Sequence, residues 1–270
     1  MKISFWSPVR SSVGVTTIMA CISALSAIGK RGKSILLENH YSLRSLADIL
    51  MESKEKEYLR EKGAYYDRNG MEYLLKRIYS GEVKGKVVKE ALTPLLFSAM
   101  HYLPQSRIVN KEVFDYEFNL VHNDLFRALE EIADFIFVDT ETNQNLSSSL
   151  ILDDADLIVV NLTQNPEDFA YFFANYESLK EKAVFLIGSY LPDYSWNLAK
   201  ICKEFHISYS EIGVIPMNLE LNTALSQGRL LTFLNLNYYK PSGKENSYFM
   251  RYAKRAEAMI LRNISTRLGR

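Results

Sequence analysis

Residues 7–17 read Ser-Pro-Val-Arg-Ser-Ser-Val-Gly-Val-Thr-Thr, the frame of a phosphate-binding loop with its lysine missing. Lys2 to Trp6 alternates like a short strand before it, and Thr16 to Ile28 is a helical apolar run after it. The loop therefore falls at a strand-to-helix turn, where unpaired backbone N–H groups and roughly half a positive charge favour anions. The usual loop, G-x-x-x-x-G-K-[ST], adds a lysine for the outer phosphates and a hydroxyl for magnesium. Gly14 and Thr16 take the last-glycine and hydroxyl positions, Thr17 follows, and Val15 stands in the lysine slot. A charge-assisted contact of about 1.5–3 kcal/mol is thereby replaced by an apolar stub, which lowers ground-state affinity and transition-state stabilisation alike. Ser11 and Ser12 replace the loop's glycines, and their hydroxyls could donate to phosphate in compensation.

Two acidic residues end apolar runs and are candidates for metal-linked or catalytic work. Asp139 follows Phe135 to Val138, and Glu38 follows Ser34 to Leu37. Asp139 could equally cap the turn after its strand, and Thr16 could serve only as a helix-start hydroxyl. A dinucleotide site would also place an acid at the end of a second strand, but Pro8, Ser11 and Ser12 stand where its glycines belong. Tyr176 and Lys180 have a dehydrogenase-like spacing that 17 tyrosines make expected by chance. His40, His101, His122 and His206 share no ligand spacing with each other or with Cys21 and Cys202, which argues against zinc.

Thirty-two basic and thirty-two acidic residues cancel, so no global field recruits nucleic acid or membrane. The two distant cysteines fit a reducing compartment, no apolar run approaches a membrane span, and the N-terminus reads as a strand rather than a leader, so a cytoplasmic protein is expected. Short apolar runs alternate with amphipathic patterns throughout, which predicts a doubly wound α/β fold with a mostly parallel sheet and helices on both faces. The expected strands are Ile3 to Trp6, Ser34 to Leu37, Leu95 to Leu103, Phe135 to Val138, Leu157 to Leu162, Val184 to Ile187 and Ile212 to Ile215. Helices are expected at Thr16 to Ile28, Leu43 to Met51, Asn119 to Ile132, Pro166 to Leu179, Tyr194 to Glu204, Leu219 to Ser226 and Asn246 to Thr266.

One domain over residues 1–270 is expected, with Glu52 to Glu90 as a charged, partly helical insertion beside the sheet. Lys244, Arg251, Lys254, Arg255, Arg262, Arg267 and Arg270 accompany Phe249, Ala253, Ala256, Ile260 and Ile264 in a basic amphipathic C-terminal helix. That helix either covers one sheet face or touches anionic lipid or DNA.

In this order the pieces resemble the ParA/MinD group of P-loop ATPases, whose loop reads roughly KGGVGKTT. Arg10, Ser11, Ser12, Val13, Gly14, Val15, Thr16 and Thr17 occupy those eight positions. The basic turn Gly29 to Lys33, the Asp134 to Thr140 stretch and the segment Gly213-Val214-Ile215-Pro216 with Ala224, Gly228 and Arg229 resemble the group's later motifs. The resemblance implies ATP or ADP with magnesium, held by residues 10–17 and Pro216, with Thr16 and Asp139 as magnesium residues and Asp139 and Glu38 as catalytic ones. It also implies a homodimer in which Arg10 could reach the partner's nucleotide. Gly188 stands where the group's adenine-reading asparagine is expected, followed by Ser189. The tract Ala99 to Pro104, the Asp139 region and the altered loop look most like the TadZ/CpaE branch, which localises pilus-assembly machinery at a pole or the inner face of the membrane. That implies a positioning or scaffolding protein with protein partners and weak or absent hydrolysis. An active ATPase that dimerises on ATP to place cargo or DNA is the alternative.

Overall fold

Strands whose residues are buried on both faces form the middle of the molecule, which is why their sequences read as continuous apolar runs. The computed structural model describes residues 1–9, 14–40, 46–52, 69–82, 85–105, 110–142, 145–267 and 269. The strands are β1 (Lys2–Trp6), β2 (Ser34–Asn39), β3 (Thr93–Leu95), β4 (Met100–Leu103), β5 (Phe135–Thr140), β6 (Leu157–Leu162), β7 (Ala183–Tyr190) and β8 (Ile212–Pro216). They form one eight-stranded sheet in the order β3-β4-β2-β5-β1-β6-β7-β8. Every neighbouring pair is parallel except β3 with β4.

The predicted strand Leu95 to Leu103 is divided. Leu96 to Ser98 forms a 3-10 turn, with positive φ at Leu96 and Ser98, and the chain doubles back so that β3 runs antiparallel to β4 at the sheet edge. An apolar run looks the same whether or not it reverses, so eight strands replace the expected seven.

Helices cover both faces. On one lie α1 (Val15–Ile28), α2 (Leu46–Leu50), α10 (Leu230–Tyr239) and α11 (Gly243–Arg267), packed on Phe5, Leu36, Tyr102 and Phe137. On the other, α3 (Met71–Tyr79), α4 (Gly85–Ala91) and α5 (Lys111–Glu130) share a core with Ile35, Leu37, Ile136 and Val138. The described part of the charged insertion is thus structural, because Leu74, Leu75, Ile78, Val87 and Val88 are buried against α5. Residues 53–68 and 83–84 of that insertion lie outside the described set. A third cluster joins α7 (Pro166–Asn175) and α8 (Leu198–Glu204) to β6, β7 and β8.

Caps set several helix starts. Asn110 accepts from the Val113 amide, so α5 begins at Lys111, well before the expected Asn119. Asn197 accepts from the Lys200 amide and starts α8 at Leu198 rather than at Tyr194. Two helices were not expected, α6 (Leu146–Asp154) and α10, and α9 (Leu219–Ser226) lies where predicted. The apolar stripe of α11, Phe249, Ala253, Ala256, Ile260 and Ile264, is fully in the core. Among the described residues no helix is long and apolar enough to cross a membrane.

Candidate functional site

The predicted phosphate loop falls between β1 and α1, at the carboxyl end of a central strand. Arg10, Ser11, Ser12 and Val13 lie outside the described residues. Gly14 precedes α1 with φ 72°, a left-handed conformation that glycine adopts at no steric cost, and its carbonyl accepts from the Ile18 amide at 2.8 Å. Thr16 and Thr17, in the first turn, are half-buried. Val15 packs against the hydrophobic core, so the lysine position is used for packing.

Strand register brings the two predicted carboxylates together. Glu38 of β2 pairs with Asp139 of β5, and both side chains point to the α1 face, on which Leu36 and Phe137 also lie. Because alternate residues of a strand share a face, an extended chain beyond Glu38 carries His40 to the same side. Its Nε2 lies 3.2 Å from Glu38 Oε2 and 3.1 Å from Asp139 Oδ2. Glu38 is engaged further: Tyr102 donates its hydroxyl to Oε1 at 2.5 Å, and the Leu46 amide donates to Oε2 at 2.9 Å.

All of this is buried, with Glu38 and Asp139 each only 2% exposed. Burial alone would lower the His40 pKa, but its contacts with Asp139 and Glu38 and their charges outweigh that and raise it from 6.5 to about 10. The histidine is therefore an imidazolium at neutral pH. Burial, and then the Glu38 charge, push the Tyr102 hydroxyl well above its ordinary range, so it remains a donor.

Magnesium needs oxygen ligands at about 2.0–2.1 Å in near-octahedral geometry. Here the facing oxygens of Glu38 and Asp139 close on a ring nitrogen, and the other Glu38 oxygen holds a tyrosine hydroxyl. As arranged, this pair of carboxylates does not fit the ion; Thr16, the other residue expected at magnesium, is half-buried in the first turn of α1. Among the described residues, no group of three His, Cys, Asp or Glu side chains is arranged to hold a metal.

The opposite face of the same strand ends carries a polar network absent from the sequence reading. Asn39 donates to Ser147 at 3.1 Å, and Ser147 donates to Asp115 at 2.5 Å, linking β2, α6 and α5. Pro216 ends β8, buried beside Tyr190 across an irregularity in the β7–β8 register. Gly188 and Ser189 lie within β7 at that irregularity, and Ser189 has a positive φ of 47°. Gly228 has φ 68°, and a Cβ there would meet the Met51 carbonyl oxygen at 1.9 Å. Arg229 then bonds Glu52 at 2.9 Å, fastening the segment after α9 to the end of α2. Sequence reasoning found Asp139 and Glu38 but not His40, whose signal was the Glu-x-His spacing at a strand end.

No family model matches the sequence, and neither does any curated protein. Solved structures do match. The ParA family ATPase of Chlorobium tepidum superposes with a TM-score of 0.67 over 94% of this chain and 98% of its own, at 13% identity. The fold is that of the MinD and ParA ATPases. The MinD in the MinC:MinD complex of Aquifex aeolicus matches with a TM-score of 0.61 over 95% of this chain and 96% of its own, at 18% identity. A putative plasmid partition protein of Borrelia burgdorferi, bound to AMPPNP, covers 97% of this chain and 98% of its own with a TM-score of 0.61 and 15% identity. In this MinD/ParA-like sheet Gly14 precedes α1, and Glu38, Asp139 and Pro216 stand at the carboxyl ends of β2, β5 and β8, the edge where open α/β sheets bind ligands.

Proposed function

We propose that this chain is a MinD/ParA-like positioning or scaffolding protein that binds nucleotide weakly, if it engages it, and turns it over slowly or not at all. The observation that carries this reading is the burial of Glu38 and Asp139 against His40, which, among the described residues, ties up both oxygens of Glu38 and one oxygen of Asp139. Val15 adds to it, since its packed side chain supplies no cation for the outer phosphates. ATP or ADP would rest on the amides from Gly14 to Thr17 and on Arg10, Ser11, Ser12 and Val13 before them, with Pro216 at the edge of the pocket.

Leu146, Leu191, Met217 and Leu219 are exposed just beyond β5, β7 and β8, so the same edge presents apolar surface for a second copy or a partner protein. A homodimer and a protein partner from a pilus or secretion apparatus, at a pole or the inner face of the membrane, complete the proposal. The partner class follows the likeness of Ala99 to Pro104, the Asp139 region and the altered loop to the TadZ/CpaE branch. The MinD of Aquifex aeolicus offers a precedent for partner binding on this fold, in its complex with MinC. Contact with DNA or anionic lipid would run through the exposed Arg251, Arg255 and Arg262 of α11, whose apolar stripe is already buried.

A phosphate-release assay on the purified chain with magnesium-ATP tests the reading. Turnover at background, unchanged by Asp139→Ala, is expected. Robust hydrolysis that Asp139→Ala and Arg10→Ala both abolish would overturn it in favour of an active ATPase.

A further inference from the structure

Two carboxylates on neighbouring strands, both buried, cannot face one another without something between them that donates or carries positive charge. Register places Glu38 beside Asp139, and the next same-face position after Glu38 is His40. One ring nitrogen spans the gap, at 3.2 and 3.1 Å. Glu38 is also fixed by the Tyr102 hydroxyl and the Leu46 amide, so it is not poised to turn toward a ligand elsewhere.

We propose that His40 takes the place of a divalent cation in this chain: its Nε2 organises Glu38 and Asp139 in the folded protein, and the site excludes magnesium while the imidazole is there. The proposal deepens the nucleotide-site reading and rests on it only for the identity of the pocket. Removing the ring would vacate a space lined by two carboxylates, which is a hard-cation site in the making.

Manganese alone serves as the probe, followed by electron paramagnetic resonance and calorimetry on the full chain without nucleotide. Wild-type protein is expected to leave the free-ion signal unchanged, and His40→Ala to bind manganese at least about tenfold tighter. The gain should vanish in the His40→Ala/Asp139→Asn double variant. A folded His40→Ala that binds no better than wild type overturns the proposal.

Should His40→Ala fail to fold, the wild type still decides. Its His40 imidazole resonance should stay sharp as manganese is added, whereas selective paramagnetic broadening of that resonance, or stoichiometric manganese binding, sinks the idea. None of these readouts depends on ATP hydrolysis, so robust turnover would defeat the pseudo-enzyme reading without deciding this one.

Discussion

At the scale of single residues, His40 sets a pH dependence whose sign follows from its partners. Among the described residues, Glu38 and Asp139 face it directly, and Tyr102 reaches it through Glu38. Because its folded pKa of about 10 lies above the ordinary 6.5, its stabilising contribution is complete below pH 6.5 and is lost as pH rises through about 10. Denaturant unfolding of wild type and His40→Gln across that window should give a difference on the order of a few kcal/mol at the acid end, shrinking toward the alkaline end. A constant difference would remove the imidazolium from the account. Val15 supports a second experiment. Val15→Lys returns a cation to the start of α1, and calorimetric ATP affinity should rise by about tenfold or more, the worth of one charge-assisted contact.

Among the elements, α11 shows how an amphipathic pattern is spent. Its apolar stripe was legible in the sequence, but a basic amphipathic helix looks alike whether it covers a sheet or rests on lipid. The structure puts Ile260 and Ile264 in the core at 0% exposure and leaves Arg251, Arg255 and Arg262 outside. Ile260→Ala should therefore cost about 2–5 kcal/mol in chemical denaturation, as a large-to-small change in a packed core does. Binding to anionic liposomes, where present, should fall with salt and with Arg251→Glu/Arg255→Glu, and be indifferent to the stripe. Gly228 gives the sharper local test. A methyl group there collides with the Met51 carbonyl and also needs a positive φ, so Gly228→Ala should lower the melting temperature markedly and detach Arg229 from Glu52.

For the whole molecule, the proposed homodimer would place the second copy on the carboxyl edge, where apolar residues beyond β5, β7 and β8 are exposed. Light scattering after size exclusion should detect a concentration-dependent dimer, and Leu219→Asp should shift it toward monomer by placing a charge among Leu191 and Met217. A dimer insensitive to that change would place the contact elsewhere.

Residue order alone determined the alternation of strand and helix, the turn that holds Gly14, the missing cation at Val15 and the acids at Glu38 and Asp139, because each is a local matter of type and spacing. It was silent on the reversal inside residues 95–103, since apolar runs carry no mark of direction. It passed over α6 as well, where the serine run resembles a loop until Asn39 and Asp115 supply hydrogen-bond partners for Ser147 and Asn39 for Ser148. Only the tertiary structure decided that Glu38 and Asp139 are neighbours and that His40 closes on both. Strand order and register are non-local, and His40 and its partner Asp139 lie 99 positions apart in the chain.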